Sequence, residues 1–151
     1  MVFITWKEEL SIGFVAIDND HKKLIAFVNE LYQGIQDGRE REVLVRILDD
    51  LVDFTRIHFG REERMLAEAG LSSTVAHKRE HDELGSAVLK ARADYLTDGV
   101  VAPSLEMMVF LKGWLLAHIM ESDKNDFWCL KQLKTSRSYK PMMIQNASFQ
   151  E

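Results

Sequence analysis

Five histidines, His21, His58, His77, His81 and His118, and two carboxylates, Glu62 and Asp123, are the side chains of this chain whose types and spacing could do chemistry. A helix advances about 100° per residue, so residues four apart share a face. His58 with Glu62, and His77 with His81, therefore each present two donors side by side. One histidine on a helix is ordinarily a surface residue or a satisfied core residue, and one such pair decides little. The turns supply a stronger test, because residues at one level of an antiparallel helical hairpin lie equally far from its turn. The point midway between the two pairs falls on Gly70. The point midway between the second pair and His118 falls between Asp98 and Gly99, and that between His21 and the first pair falls about two residues past Asp37-Gly38. All five imidazoles thus stand near one level of an up-down-up-down bundle.

Turned inward, these imidazoles would sit in an apolar interior with no anionic neighbours evident beyond Glu62 and Asp123. Buried polar groups need partners, and a metal satisfies neutral imidazoles and carboxylates together. Five imidazoles and two carboxylates exceed the four donors of one tetrahedral zinc, so two metals are implied. A nitrogen-rich set without a thiolate suits iron, and manganese, cobalt or zinc less well. Asp123 is out of step, since five residues from His118 is about 140° around an ideal helix. A carboxylate reaching across, or a local helix bulge, would restore it. Glu121, three residues from His118, is the bridging ligand that spacing alone prefers.

The elements that must position these groups follow from apolar residues recurring at three and four. The expected class is all-α, an up-down-up-down antiparallel four-helix bundle in a single domain over 1–151. Its parts are an N-terminal arm 1–16, helices over about 17–36, 41–69, 72–97 and 103–133, and a tail 134–151. Asp37-Gly38 and Gly70 read as C-terminal stops, Ser72-Ser73 as caps of the third helix, and Pro103-Ser104 as the start of the fourth. The tail, with Met142, Met143, Ile144 and Phe149, loses helical period and is expected to lie on its own bundle or to be partly disordered rather than to bind a partner.

At 151 residues one domain can bury one core, and 46% hydrophobic residues suit a globule. A net charge of -5, with no basic cluster, speaks against nucleic acid as a partner. The most apolar segment, Met107 to Met120, is interrupted by Lys112 and Gly113 and is too short to span a bilayer, which takes about 20 apolar residues. The opening residues carry no secretion signal, and a lone cysteine, Cys129, allows no internal disulfide, so a cytoplasmic location is expected.

The segments Ile17-Asp18-Asn19-Asp20-His21, His58-Phe59-Gly60-Arg61-Glu62-Glu63, His77-Lys78-Arg79-Glu80-His81 and His118-Ile119-Met120-Glu121-Ser122-Asp123 together resemble the hemerythrin family, in particular its single-domain bacterial members. Trp6 and Leu10-Ser11-Ile12-Gly13 also look like the bacterial form, so the resemblance runs from about Trp6 to Leu133. It implies that His21, His58, His77, His81 and His118 are terminal ligands of two iron ions. It also implies that Glu62 and Asp123, rather than Glu121, bridge them beside an oxide or hydroxide. Asp20 departs from the family pattern, in which glutamine is common at that position.

The resemblance implies reversible dioxygen binding for storage, transport or delivery to an oxygen-consuming enzyme, by a monomer that is not itself an enzyme. Such a carrier needs walls that keep water and protons out. One turn from the ligands, Ile25, Phe54, Leu84, Trp114 and Leu115 are the candidates for those walls. Three rivals are weaker. The main one is a di-iron enzyme such as an oxidase, peroxidase or nitric oxide reductase, but a ferritin-like enzyme would carry more carboxylates and Glu-x-x-His pairs. A zinc peptidase needs Glu directly after its first histidine, where this chain has Lys78. A metal-free interaction bundle leaves the clustered donors without a use.

Overall fold

The computed structural model describes residues 2–97 and 103–136. The chain forms α1 (Val15–Gln36), α2 (Arg41–Glu68), α3 (Thr74–Leu96) and a fourth rod made of α4 (Leu105–Ala117), a π-helical turn (His118–Asp123) and α5 (Lys124–Thr135). No strand occurs among the described residues. Helix α1 packs on α2, α2 on α3, and α4 closes back on α1. The expected architecture is present, with one correction: the fourth run is not a single α-helix, because a π turn interrupts it.

Two connections follow from glycine. Gly38 and Gly70 take φ of +64° and +69°, a left-handed conformation that costs a Cβ-bearing residue energy. Each closes a Schellman motif. Arg39 N donates to Gly34 O at 2.9 Å and Gly38 N to Ile35 O at 3.2 Å. Leu71 N donates to Leu66 O at 3.3 Å and Gly70 N to Ala67 O at 3.0 Å. The orphan carbonyls of both helix ends are thereby satisfied.

The helix starts are less uniform. Ser104 caps α4, its Oγ accepting from Met107 N at 3.1 Å. Ser73 precedes α3 without a side-chain cap bond, which corrects the expected Ser72-Ser73 cap. Its φ and ψ of -74° and -9° are already helical, so the side chain does not face the amides it would have to accept from. Thr74 Oγ1 instead donates back to Leu71 O at 2.7 Å. The turn expected at Asp98-Gly99 and the tail beyond Ser136 lie outside the described residues.

The apolar stripes converge on one core. Ile17, Leu24, Val28 and Leu31 of α1 meet Leu44, Leu48, Leu51 and Leu66 of α2, Leu84 and Val88 of α3, and Met108, Leu111, Leu115, Ile119 and Phe127 of the fourth rod. The N-terminal arm is pinned across this bundle. Ile4 exchanges two hydrogen bonds with the Asn29 side chain, at 2.7 and 2.8 Å, and Phe3 stacks on Tyr32 at 4.2 Å. Ile12 N donates to Asp18 Oδ1 at 2.9 Å, tying the end of the arm to the first turn of α1.

Candidate metal centre

Every rod contributes to one buried cluster. Helix α1 supplies His21, α2 supplies His58 and Glu62, α3 supplies His77 and His81, and the π turn supplies His118 and Asp123. None of the seven side chains is more than 4% exposed. The π turn explains the spacing that an α-helix could not. With i→i+5 periodicity, five residues make about one turn, so Asp123 returns to the face of His118. Its carboxylate lies 2.9 Å from His118 Nε2, whereas Glu121 is exposed.

The oxygens of the two carboxylates are divided between two sets of imidazoles. Glu62 Oε1 lies 3.1 Å from His21 Nε2 and 3.0 Å from His58 Nε2, while Oε2 lies 3.4 Å from His77 Nε2 and 3.1 Å from His81 Nε2. Asp123 divides likewise, with Oδ2 3.1 Å from His21 and Oδ1 3.0 Å from His77 and 2.9 Å from His118. Two foci result, one beside His21 and His58 and one beside His77, His81 and His118.

Four of the five imidazoles are held from behind by a further carboxylate. His58 Nδ1 donates to Asp20 at 3.1 Å, His77 Nδ1 to Asp126 at 2.7 Å, His81 Nδ1 to Glu63 at 2.9 Å and His118 Nδ1 to Glu80 at 2.8 Å. The expectation of an interior without further anions is therefore corrected. Each of these acids sits near a ligand on its own helix and reaches a ligand on another, so no single-helix periodicity displays the pairing. The one legible signal is an acidic residue beside a ligand, as in Asp20-His21, Glu62-Glu63 and Glu80-His81.

With Nδ1 donating, each neutral ring turns the lone pair of Nε2 inward. His81 Nε2 and His118 Nε2 then face each other at 3.0 Å as two acceptors, which cannot bond to one another. Both Asp123 oxygens are buried without a hydrogen-bond donor. A cation resolves both conflicts, so the residues fit a metal centre.

The electrostatics agree. Burial opposes charge on His21 and His77, yet the facing Asp123 and Glu62 carboxylates outweigh it and raise them to about 9 and about 11. Burial likewise opposes ionised Glu62 and Asp123, and the surrounding imidazoles nevertheless hold both carboxyls well below the usual range. The cluster is a place built for positive charge.

Residues 13–127 match the family model of the hemerythrin HHE cation-binding domain. The chain belongs to the hemerythrin family. This family generally binds dioxygen at a di-iron site. The bacteriohemerythrin of Pseudomonas aeruginosa is 31% identical over 123 residues, covering 82% of this chain and 78% of that protein. That of Clostridium acetobutylicum is 31% identical over 125 residues, covering 79% and 95%. A crystal structure of wild-type hemerythrin superposes with a TM-score of 0.76 at 29% identity, covering 85% of this chain and 98% of that one.

The five wall candidates separate in this hemerythrin bundle. Leu84 and Leu115 line a small inner cavity of about 20 Å³ together with Leu24, Val28, Leu51, Thr55, Phe59, Val88 and Leu111. Trp114 lies outside that lining and stacks on His118 at 4.5 Å. Ile25 is buried in the core, and half-buried Phe54 packs on Phe27, neither lining the cavity. Phe59, absent from the candidates, lies flat on His81 with centroids 3.8 Å apart. It also borders a surface cleft of about 530 Å³ between α2 and α3 that reaches His81 and Glu63.

Proposed function

We propose that this chain binds dioxygen reversibly at two irons, for storage, transport or delivery to an oxygen-consuming enzyme. The division of the Glu62 and Asp123 oxygens between two sets of imidazoles is the observation that carries this reading. In it, His21 and His58 hold one iron and His77, His81 and His118 the other. Glu62 and Asp123 would hold both irons, and an oxide or hydroxide would complete the centre. The three-histidine side offers one more imidazole than the two-histidine side, so dioxygen would be taken up beside His21 and His58. The iron pair supplies reversible two-electron exchange with dioxygen.

The protein's own part is orientation and exclusion. Asp20, Asp126, Glu63 and Glu80 fix their imidazoles as Nδ1–H tautomers. The inner cavity is lined by apolar residues and Thr55, which favours carriage over catalysis because proton transfer drives dioxygen chemistry onward. No helix of the described residues is long and apolar enough to cross a membrane. The lone Cys129 thiol suits a reducing cytoplasm.

Elemental analysis of protein from iron-replete cells should give close to two irons per chain. A reduced anaerobic sample should gain a visible absorption band on exposure to oxygen and lose it on degassing. Zinc in place of iron, or a spectral change that degassing leaves in place, defeats this reading.

A further inference from the structure

Asp20 differs from the other three carboxylates behind the imidazoles. Its Oδ2 accepts from His58 Nδ1 at 3.1 Å and also from Arg61 Nη1 at 2.6 Å. Among the described residues, no lysine or arginine forms an ion pair with Asp126, Glu63 or Glu80. Asp20 is buried, while the Arg61 side chain is 40% exposed. On the same side of the cluster, His21 Nδ1 is buried without a partner. All of the carboxylate support behind the two-histidine focus therefore passes through Asp20, and a single guanidinium at the surface opposes its charge.

A carboxylate behind a ligating imidazole strengthens the metal-facing nitrogen as a donor, and its negative charge favours the more highly charged ion. A guanidinium on the same oxygen acts in the opposite sense. We propose that Asp20 and Arg61 are positioning residues that set the reduction potential of the centre beside His58, Asp20 lowering it and Arg61 raising it. This rests on the di-iron reading above. It makes Arg61 the group through which solvent and an approaching partner reach the two-histidine side of the site.

The test is a mediated redox titration of the iron-loaded full-length chain, followed by visible absorption, for the parent, D20N, R61Q and R61K. The amide introduced by D20N keeps an oxygen for His58 and removes the charge. That variant should shift the ferrous-to-ferric ratio toward ferrous by on the order of tenfold at fixed potential, about 59 mV for a one-electron step. R61Q should shift it toward ferric by a smaller factor, because solvent screens the exposed guanidinium. R61K should restore the parent value. Unchanged midpoints, or shifts of the same sign in D20N and R61Q, overturn the proposal. If D20N fails to hold iron, the R61Q and R61K comparison decides alone, since Arg61 is not among the proposed iron ligands. A parent chain without iron or its spectrum defeats the functional reading, whereas an intact centre with immobile potentials defeats only this inference.

Discussion

At the residue scale, Asp123 and Glu121 offer the sharpest contrast, because spacing on an ideal helix prefers the latter and the structure buries the former. Asp123→Ala should lose iron from the centre, and Glu121→Ala should keep iron content and spectrum, as measured by metal analysis and absorption on one pair of variants. The raised imidazoles lead to a second expectation. His21 and His77, at about 9 and about 11 instead of 6.5, hold protons at neutral pH in a chelator-stripped chain. Iron must displace those protons, so loading should release acid and tighten as pH rises from about 6 toward about 9. Calorimetry in buffers of different ionisation enthalpy counts the protons, and an uptake that shows no pH dependence contradicts the assignment.

At the element scale, the π turn holds the fourth rod in register as well as returning Asp123 to His118. Inserting one alanine between Lys124 and Asn125 would leave the turn intact but rotate everything after it by about 100°. Asp126, Phe127 and Leu130, all buried on α5, would then leave their partners. Loss of the Phe127 contacts alone is comparable to a large-to-small core change of about 3–5 kcal/mol. We expect the insertion to unfold at distinctly lower denaturant, and native-like stability would show that the register of α5 is incidental. Leu115, within α4, tests exclusion. Leu115→Ala enlarges the inner cavity and should cost about 2–5 kcal/mol while retaining both irons. The oxygenated form should decay faster to the ferric state in stopped-flow absorbance, and decay at the parent rate would assign Leu115 to packing alone.

At the scale of the whole molecule, the cluster ties all four rods together, since each contributes at least one donor. A metal that binds only the assembled bundle adds its binding free energy to stability, about 2.7 kcal/mol when free ligand stands at about a hundred times Kd. Chelation should therefore lower the melting temperature of the full chain. Substituting His77 by Ala should reproduce part of that loss and abolish most of the further effect of chelator. A melting point indifferent to iron would place the donors in a site that folds without it.

How much of this was legible beforehand follows from the range of each interaction. Helix existence, the glycine stops at Gly38 and Gly70, and the common level of the five imidazoles are written in sequence, because periodicity and turn chemistry are local and an antiparallel hairpin converts distance from a turn into height. What only the tertiary structure decided is contact between helices. The pairings of Asp20 with His58, Glu63 with His81, Glu80 with His118 and Asp126 with His77 join different rods. So do the stacking of Phe59 on His81 and the separation of the wall candidates into cavity, ring cover and plain core. The π turn belongs with these. Its cost is local, but its benefit, a buried Asp123 that meets α1, α3 and its own rod at once, exists only when the bundle is assembled.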